Sequence, residues 1–202
     1  MIISHRHQFI FFQVEQTGSS YLGRFFVEHF DGQPMLRKHT SVLEFLKTAN
    51  QQEKKYRRII GKRNPLDRAT TRFVRNNMQD IEQARSHEEV QMLFEKWFHK
   101  IFNSSKQRRL RASYHVPESY PYVDYTIRQE KLADDLAAVL EELNLFLESV
   151  PQWETRTRGK LPDFTTYYAD SLKPIACEIL KEEMELLGYE IPLDWRAIVV
   201  SK

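Results

Sequence analysis

The chain has 202 residues, of which 41% are hydrophobic and 29% charged. That balance excludes a disordered chain and suits one folded α/β domain over residues 1–202. A net charge of +2 is too mild to imply nucleic acid, and the single cysteine, Cys177, excludes an internal disulfide framework or a cysteine-rich zinc site. No run approaches the ~20 apolar residues of a membrane span, so a cytoplasmic protein with no membrane partner is expected.

The N-terminal run MIISHRHQFIFFQV is basic and then apolar. It is short, lacks a small-residue cleavage site and runs into polar turn residues, so it reads as a strand rather than a leader. Phe9 to Val14 suit a buried strand. Glu15 to Ser20 are small or polar, and Leu22, Phe25, Phe26 and Phe30 then recur at helical spacing. Strand, tight turn and helix in this order present backbone N–H groups at a helix N-terminus, an anion site most often used for phosphate. The plain alternative is a strand-to-helix turn capped by Ser19 or Ser20.

Asp31 to Pro34 form a turn cluster, and Met35 to Lys38 read as a short extended piece. Ser41 with Glu44, and Ser86 with Glu89, fit capping boxes. Tyr56 to Ile60 read as a second strand. Pro65 opens a helix that should run to about Met78. Val90, Leu93, Phe94, Trp97, Phe98, Ile101 and Phe102 mark the clearest amphipathic helix, with Trp97 in the core. Val123 to Ile127 alternate as a strand, and Glu130 to Leu147 read as a long helix. Pro174 to Leu187 form the last helix, stopped by Gly188. Cys177 lies inside that pattern and reads as a buried structural thiol. The basic run 103–111, the loops 103–122 and 150–168, and the tail from Tyr189 complete the chain.

Three separated stretches resemble one family. They are the turn Val14-Glu15-Gln16-Thr17-Gly18-Ser19-Ser20, the run Arg63-Asn64-Pro65-Leu66-Asp67-Arg68, and Tyr125 to Leu136 with its R-x-E-x-L-x-x-D pattern. Together they resemble sulfotransferases that use 3′-phosphoadenosine-5′-phosphosulfate (PAPS), most of all the small proteins related to carbohydrate sulfotransferases. Tyr167, Tyr168 and Leu187-Gly188-Tyr189 fit a late pattern of that family. The resemblance implies a three-layer α/β fold with a short, mainly parallel sheet flanked by helices, of the P-loop-like sulfotransferase kind. It also implies PAPS as donor and PAP as product. Gln16, Thr17, Gly18, Ser19, Ser20 and Tyr21 would meet the 5′-phosphosulfate, and Arg63 with Thr71 the 3′-phosphate. Arg suits phosphate chemically because its planar fork makes bidentate contacts. Arg68 reads as a structural ion pair.

The turn departs from the family at two positions. Gln16 stands where a lysine would neutralise charge on the leaving phosphate, and Glu15 stands where the family has proline. A neutral hydrogen bond from Gln16 remains available for catalysis, and Arg24, Arg37 and Lys38 are cations that can substitute. His39, in KHTSVLEF, resembles the histidine that lies between the two nucleotide motifs and is the candidate general base. The implied activity is sulfuryl transfer to a hydroxyl of a saccharide or small-molecule acceptor. The alternative is a catalytically impaired PAP- or PAPS-binding or interaction protein. A nucleotide kinase would want G-x-x-x-x-G-K-[ST], which is missing here. Nucleic-acid binding through Lys54, Lys55, Arg57, Arg58, Arg108, Arg109 and Arg111 is a further rival; a nucleic-acid partner is not expected. No His pair has metal-ligand spacing, and no metal is expected.

Overall fold

The structure is a computed structural model that describes residues 1–102, 119–147 and 162–196. The expected basic run, much of the two expected acceptor loops and the end of the tail lie outside the described residues. Two compact units divide the chain: Met1–Arg63 with Tyr114–Glu154, and Asn64–Ser113 with Thr155–Lys202.

The first unit is built on a five-stranded sheet. Its strands are β1 (Ile2–Ser4), β2 (Phe9–Phe12), β3 (Gln33–Pro34), β4 (Arg57–Lys62) and β5 (Tyr125–Arg128), in the order β3-β1-β2-β4-β5. Strand β2 pairs in parallel with β4, and β4 with β5, whereas β1 is antiparallel to both β2 and β3. The sheet is therefore mixed, not mainly parallel as expected. The reason lies in the first fourteen residues. They form a hairpin rather than one strand, because Gln8 takes φ 54 and reverses the chain. The extended piece also falls earlier than expected, at Gln33–Pro34, and Leu36 at φ 55 ends it.

Helices cover both faces of this sheet. Phe9 and Phe11 point to α1 (Ser19–His29), while Ile10 and Phe12 point to α2 (Val42–Thr48). Both faces of β2 are thus buried, which explains its unbroken apolar run. Phe26 packs 5.0 Å from Phe9 and 5.2 Å from Phe11, ring centre to ring centre. Burying such a ring stabilises by roughly 1.5–3 kcal/mol. Beside α1 lies α6 (Leu132–Glu142), through Leu136, Val139 and Leu140. This helix is shorter than expected: Gln129–Lys131 form a single 3-10 turn before it, and Asn144 at φ 53 ends it. Asparagine tolerates that left-handed conformation better than most residues.

The second unit is helical. It contains α3 (Pro65–Asn76), α4 (Met78–Gln83), α5 (His87–Phe102) and α7 (Leu172–Leu187). Asn77 splits the helix expected to reach Met78, and its side chain donates to the Phe73 carbonyl at 2.8 Å. Asn64 Oδ1 caps α3 by accepting from Leu66 N at 2.9 Å. Phe73, Phe94, Trp97, Phe98, Tyr168 and Trp195 form an aromatic core, with Trp97 packed as the spacing predicts. Arg68 pairs with Glu183 inside this unit, the structural role expected of it. Cys177 is buried there, and burial pushes its thiol up to about 11. Gly188 ends α7 at φ 69. Ser41 and Ser86 each accept from the backbone N–H three residues on, at 3.1 and 3.3 Å. The reciprocal halves of both boxes are replaced: Glu44 pairs with Arg37, and Glu89 accepts from Arg85 N.

Candidate functional site: the turn between β2 and α1

Because β2, β4 and β5 run parallel, the residues that follow them (Gln13, Arg63 and Gln129) lie along one edge of the sheet. The turn from Gln13 to Gly18 spans that edge. Gln16 sits at φ 65 and Gly18 at φ 71, both left-handed. That conformation suits Gly18 and is strained for Gln16. The Thr17 and Ser19 hydroxyls both donate to the Val14 carbonyl and curl the turn inward. From below, Gln13 Nε2 donates to the Ser19 carbonyl at 3.0 Å.

Two glycines let the turn settle. A Cβ on Gly61 would stand 2.5 Å from Thr17 Oγ1, and one on Gly18 would stand 2.3 Å from Gln129 Oε1. Thr17 is therefore turned down onto β4 rather than outward.

The head of α1 has no side-chain cap. Neither Ser19 nor Ser20 serves as the cap that the plain reading of the turn requires. Tyr21 and Leu22 N–H groups bond to the Gly18 carbonyl at 3.0 and 3.1 Å, so the Ser19 and Ser20 N–H groups precede the first intrahelical bond. The helix dipole adds partial positive charge at the same point. Such a terminus can hold an anion such as a phosphate or sulfate.

Arg63 is buried, 7% exposed, and its Nη1 donates to the Gln16 carbonyl at 3.0 Å. The residue expected to face a 3′-phosphate is thus tied to the turn itself. Thr71 lies on α3 in the second unit and is half-buried; beside it, the Thr70 hydroxyl donates to the Leu66 carbonyl at 3.2 Å. Gln16 Oε1 is withdrawn from solvent and has no hydrogen-bond partner among the described residues. Tyr21 is half-buried against the α1–α6 core, and Arg24 lies over its ring, 5.9 Å from the centre.

His39 comes to the same turn. Its Nδ1 lies 2.9 Å from the Gln13 carbonyl, which can only accept, so Nδ1 is the protonated nitrogen. Nε2 then carries the lone pair of a neutral ring. Glu15 Oε1 is 3.9 Å from Nε2, close enough to pair with a protonated ring. Lys38 Nζ donates to Ser20 Oγ at 2.9 Å.

The third motif braces the edge. Arg128 donates to Asp135 through Nε at 2.8 Å and Nη2 at 2.6 Å, and the Arg128 backbone N–H donates to the same carboxylate at 2.8 Å. The Arg128 hydrogen bond holds the Asp135 carboxyl below its usual range. The spacing of these two residues is set by the corner between β5 and α6.

The structure thus brings Gln16 to Tyr21, Arg63 and His39 to one sheet edge within the first unit; Thr71 belongs to the second. Sequence reasoning missed Gln129, which touches Gly18, and the facing of Glu15 on His39. The signal for Gln129 was its place directly after the strand in the third motif. In comparisons with known proteins, no family model, no curated protein and no solved structure matches this chain.

Proposed function

We propose that this protein binds PAPS, with the 5′-phosphosulfate at the Glu15–Ser20 turn, and moves its sulfuryl group to a hydroxyl of a saccharide or small-molecule acceptor. In this reading the sheet of the first unit belongs to a P-loop-like sulfotransferase fold. The observation that carries the proposal is the uncapped head of α1 behind left-handed Gly18, where the Ser19 and Ser20 N–H groups await an acceptor. Phosphate oxygens fit that need, and the buried Arg63 behind the turn adds fixed positive charge. The donor supplies an activated sulfuryl group; the chain holds its phosphates and receives the acceptor's proton. His39 suits the second task. Its Nδ1–H is committed to the Gln13 carbonyl, so Nε2 is the basic nitrogen, and Glu15 would pair with the ring once it is protonated.

A second reading, binding of PAP without turnover, is favoured by one observation. Gln16 presents neither a cation nor an outward side-chain oxygen, since its Oε1 is buried without a partner among the described residues. Losing a charge-stabilising donor costs on the order of 2.7–4 kcal/mol in a barrier.

Calorimetric titration with PAP, with ADP as control, tests the nucleotide site. Preference for PAP supports the proposal, and absence of PAP binding overturns it. Transfer from labelled PAPS to a panel of hydroxyl acceptors then separates the two readings.

A further inference from the structure

We propose that Glu15 selects the acceptor by charge: the hydroxyl substrate carries an ammonium group, as an amino sugar does, and acceptors that carry a carboxylate or sulfate are rejected. This rests on the reading of His39 as the base of the proposed transfer. Nδ1 of His39 is committed to the Gln13 carbonyl at 2.9 Å, so the acceptor's hydroxyl has to come to Nε2. Glu15 Oε1 stands 3.9 Å from that nitrogen. Among the described residues the His39 ring is the one cation within ion-pairing distance of Glu15, and only when it is protonated. A ring ready to take a proton is neutral, and the Glu15 carboxylate then lacks a counter-ion. A cationic acceptor brings one, whereas an anionic acceptor adds a second negative charge at the same place.

The two groups are held where they meet. Arg63 bonds the carbonyl of Gln16, directly after Glu15, at 3.0 Å. In the segment that carries His39, Leu36 sits at φ 55, and the Thr40 N–H and hydroxyl both bond to the Arg37 carbonyl, at 3.1 and 2.8 Å. The flanking cations turn elsewhere: Arg37 pairs with Glu44, and Lys38 Nζ donates to Ser20 Oγ at 2.9 Å. The side chains of His39 and Glu15 are 40% and 51% exposed, so a dissolved acceptor can reach both. In the transfer, the bond from the PAPS phosphate oxygen to sulfur breaks and its electron pair stays on PAP. The acceptor oxygen forms the new bond to sulfur, and its proton goes to Nε2. The imidazolium then replaces the ammonium as the partner of Glu15. Water screens a half-exposed carboxylate, so one unit charge a few ångströms away changes affinity only about three- to fivefold.

Three p-nitrophenyl glycosides of similar shape test this: the glucosaminide, at a pH that keeps its amine protonated, the uncharged glucoside and the glucuronide. Their binding to the PAP-loaded protein is read from the His39 ring resonances, and kcat/KM from transfer of labelled sulfate, so a protein that binds without turnover is tested as well. The wild type should favour the glucosaminide over the glucuronide by about tenfold or more, with the glucoside between them. Glu15→Gln should bring the three together, and Glu15→Lys should reverse their order; neither opens a cavity at a half-exposed side chain. Glu28→Gln, on the exposed side of α1, should keep the wild-type order and so controls for overall charge. A wild type without charge preference, an order that Glu15→Gln leaves unchanged, or binding of none of the three to the PAP-loaded protein overturns the inference while the PAPS reading stands. A wild type that binds no PAP fails the PAPS reading first, and the inference falls with it.

Discussion

Arg63 Nη1 donates to the Gln16 carbonyl oxygen across 3.0 Å, joining the end of β4 to the strained turn after β2. Gln16 at φ 65 holds a conformation that non-glycine residues disfavour, and a charged donor on its carbonyl helps to keep it there. Arg63→Ala is expected to remove a bond worth about 1.5–3 kcal/mol and to weaken PAP binding strongly. Thermal unfolding and calorimetry measure the two effects. PAP affinity unchanged in Arg63→Ala would remove Arg63 from the nucleotide site, whatever happens to stability.

Gly18→Ala meets two obstacles. The left-handed backbone costs a residue with a Cβ roughly 1–2 kcal/mol, and that Cβ would stand 2.3 Å from Gln129 Oε1. Urea denaturation should show a loss larger than the backbone cost alone. Adding Gln129→Ala removes the nearer collision but neither the 2.9 Å approach to Leu132 Cδ1 nor the backbone cost, so the double variant should recover only part. Full recovery would mean that φ at Gly18 costs little.

Acid stability should depend on Asp135. Its carboxyl is held below the usual 3.8, first by the Arg128 side-chain hydrogen bond. A carboxylate whose folded value is depressed stabilises the fold above the unfolded value, and that contribution is lost as pH falls through the lower folded value. Asp135→Asn should therefore lower stability near neutral pH and flatten its decline below about pH 4. Parallel acid-unfolding curves for the two proteins would contradict this.

His39→Gln should abolish sulfuryl transfer and leave PAP affinity within about twofold, since in the proposed reaction the ring serves the acceptor's proton rather than the phosphates. Glu15→Gln should spare PAP binding or tighten it, because it removes a negative charge next to the proposed anion site. Turnover retained by His39→Gln would eliminate it as the base.

Much of the local architecture was legible from residue order. Phe9 to Phe12 announced a strand buried on both faces, Leu22, Phe25 and Phe26 announced α1, and the Trp97 stripe announced α5, since periodicity reports which faces a segment must bury. The tight turn into α1 was legible too, through Gly18 and the small residues around it. Pairing was not: Gln8 and Leu36 carry no glycine signal for their left-handed conformations, so the hairpin and the true place of β3 stayed hidden. Nor was it legible that Thr17 and Ser19 turn inward to Val14 or that Arg63 clasps the turn. Side-chain direction depends on neighbours that arrive from other strands.

By itself, then, the amino-acid order determined the α/β class of the chain, most helix faces and the strand–turn–helix element from β2 to α1. Only the tertiary structure decided the mixed strand order, the contact of Gln129 with Gly18 and the meeting of Lys38 with Ser20. Local spacing dictates burial and helical phase within a few residues. A hydrogen bond between side chains 18 residues apart exists only after the sheet has brought the ends of β2, β4 and β5 to one edge and a tethered segment back to α1.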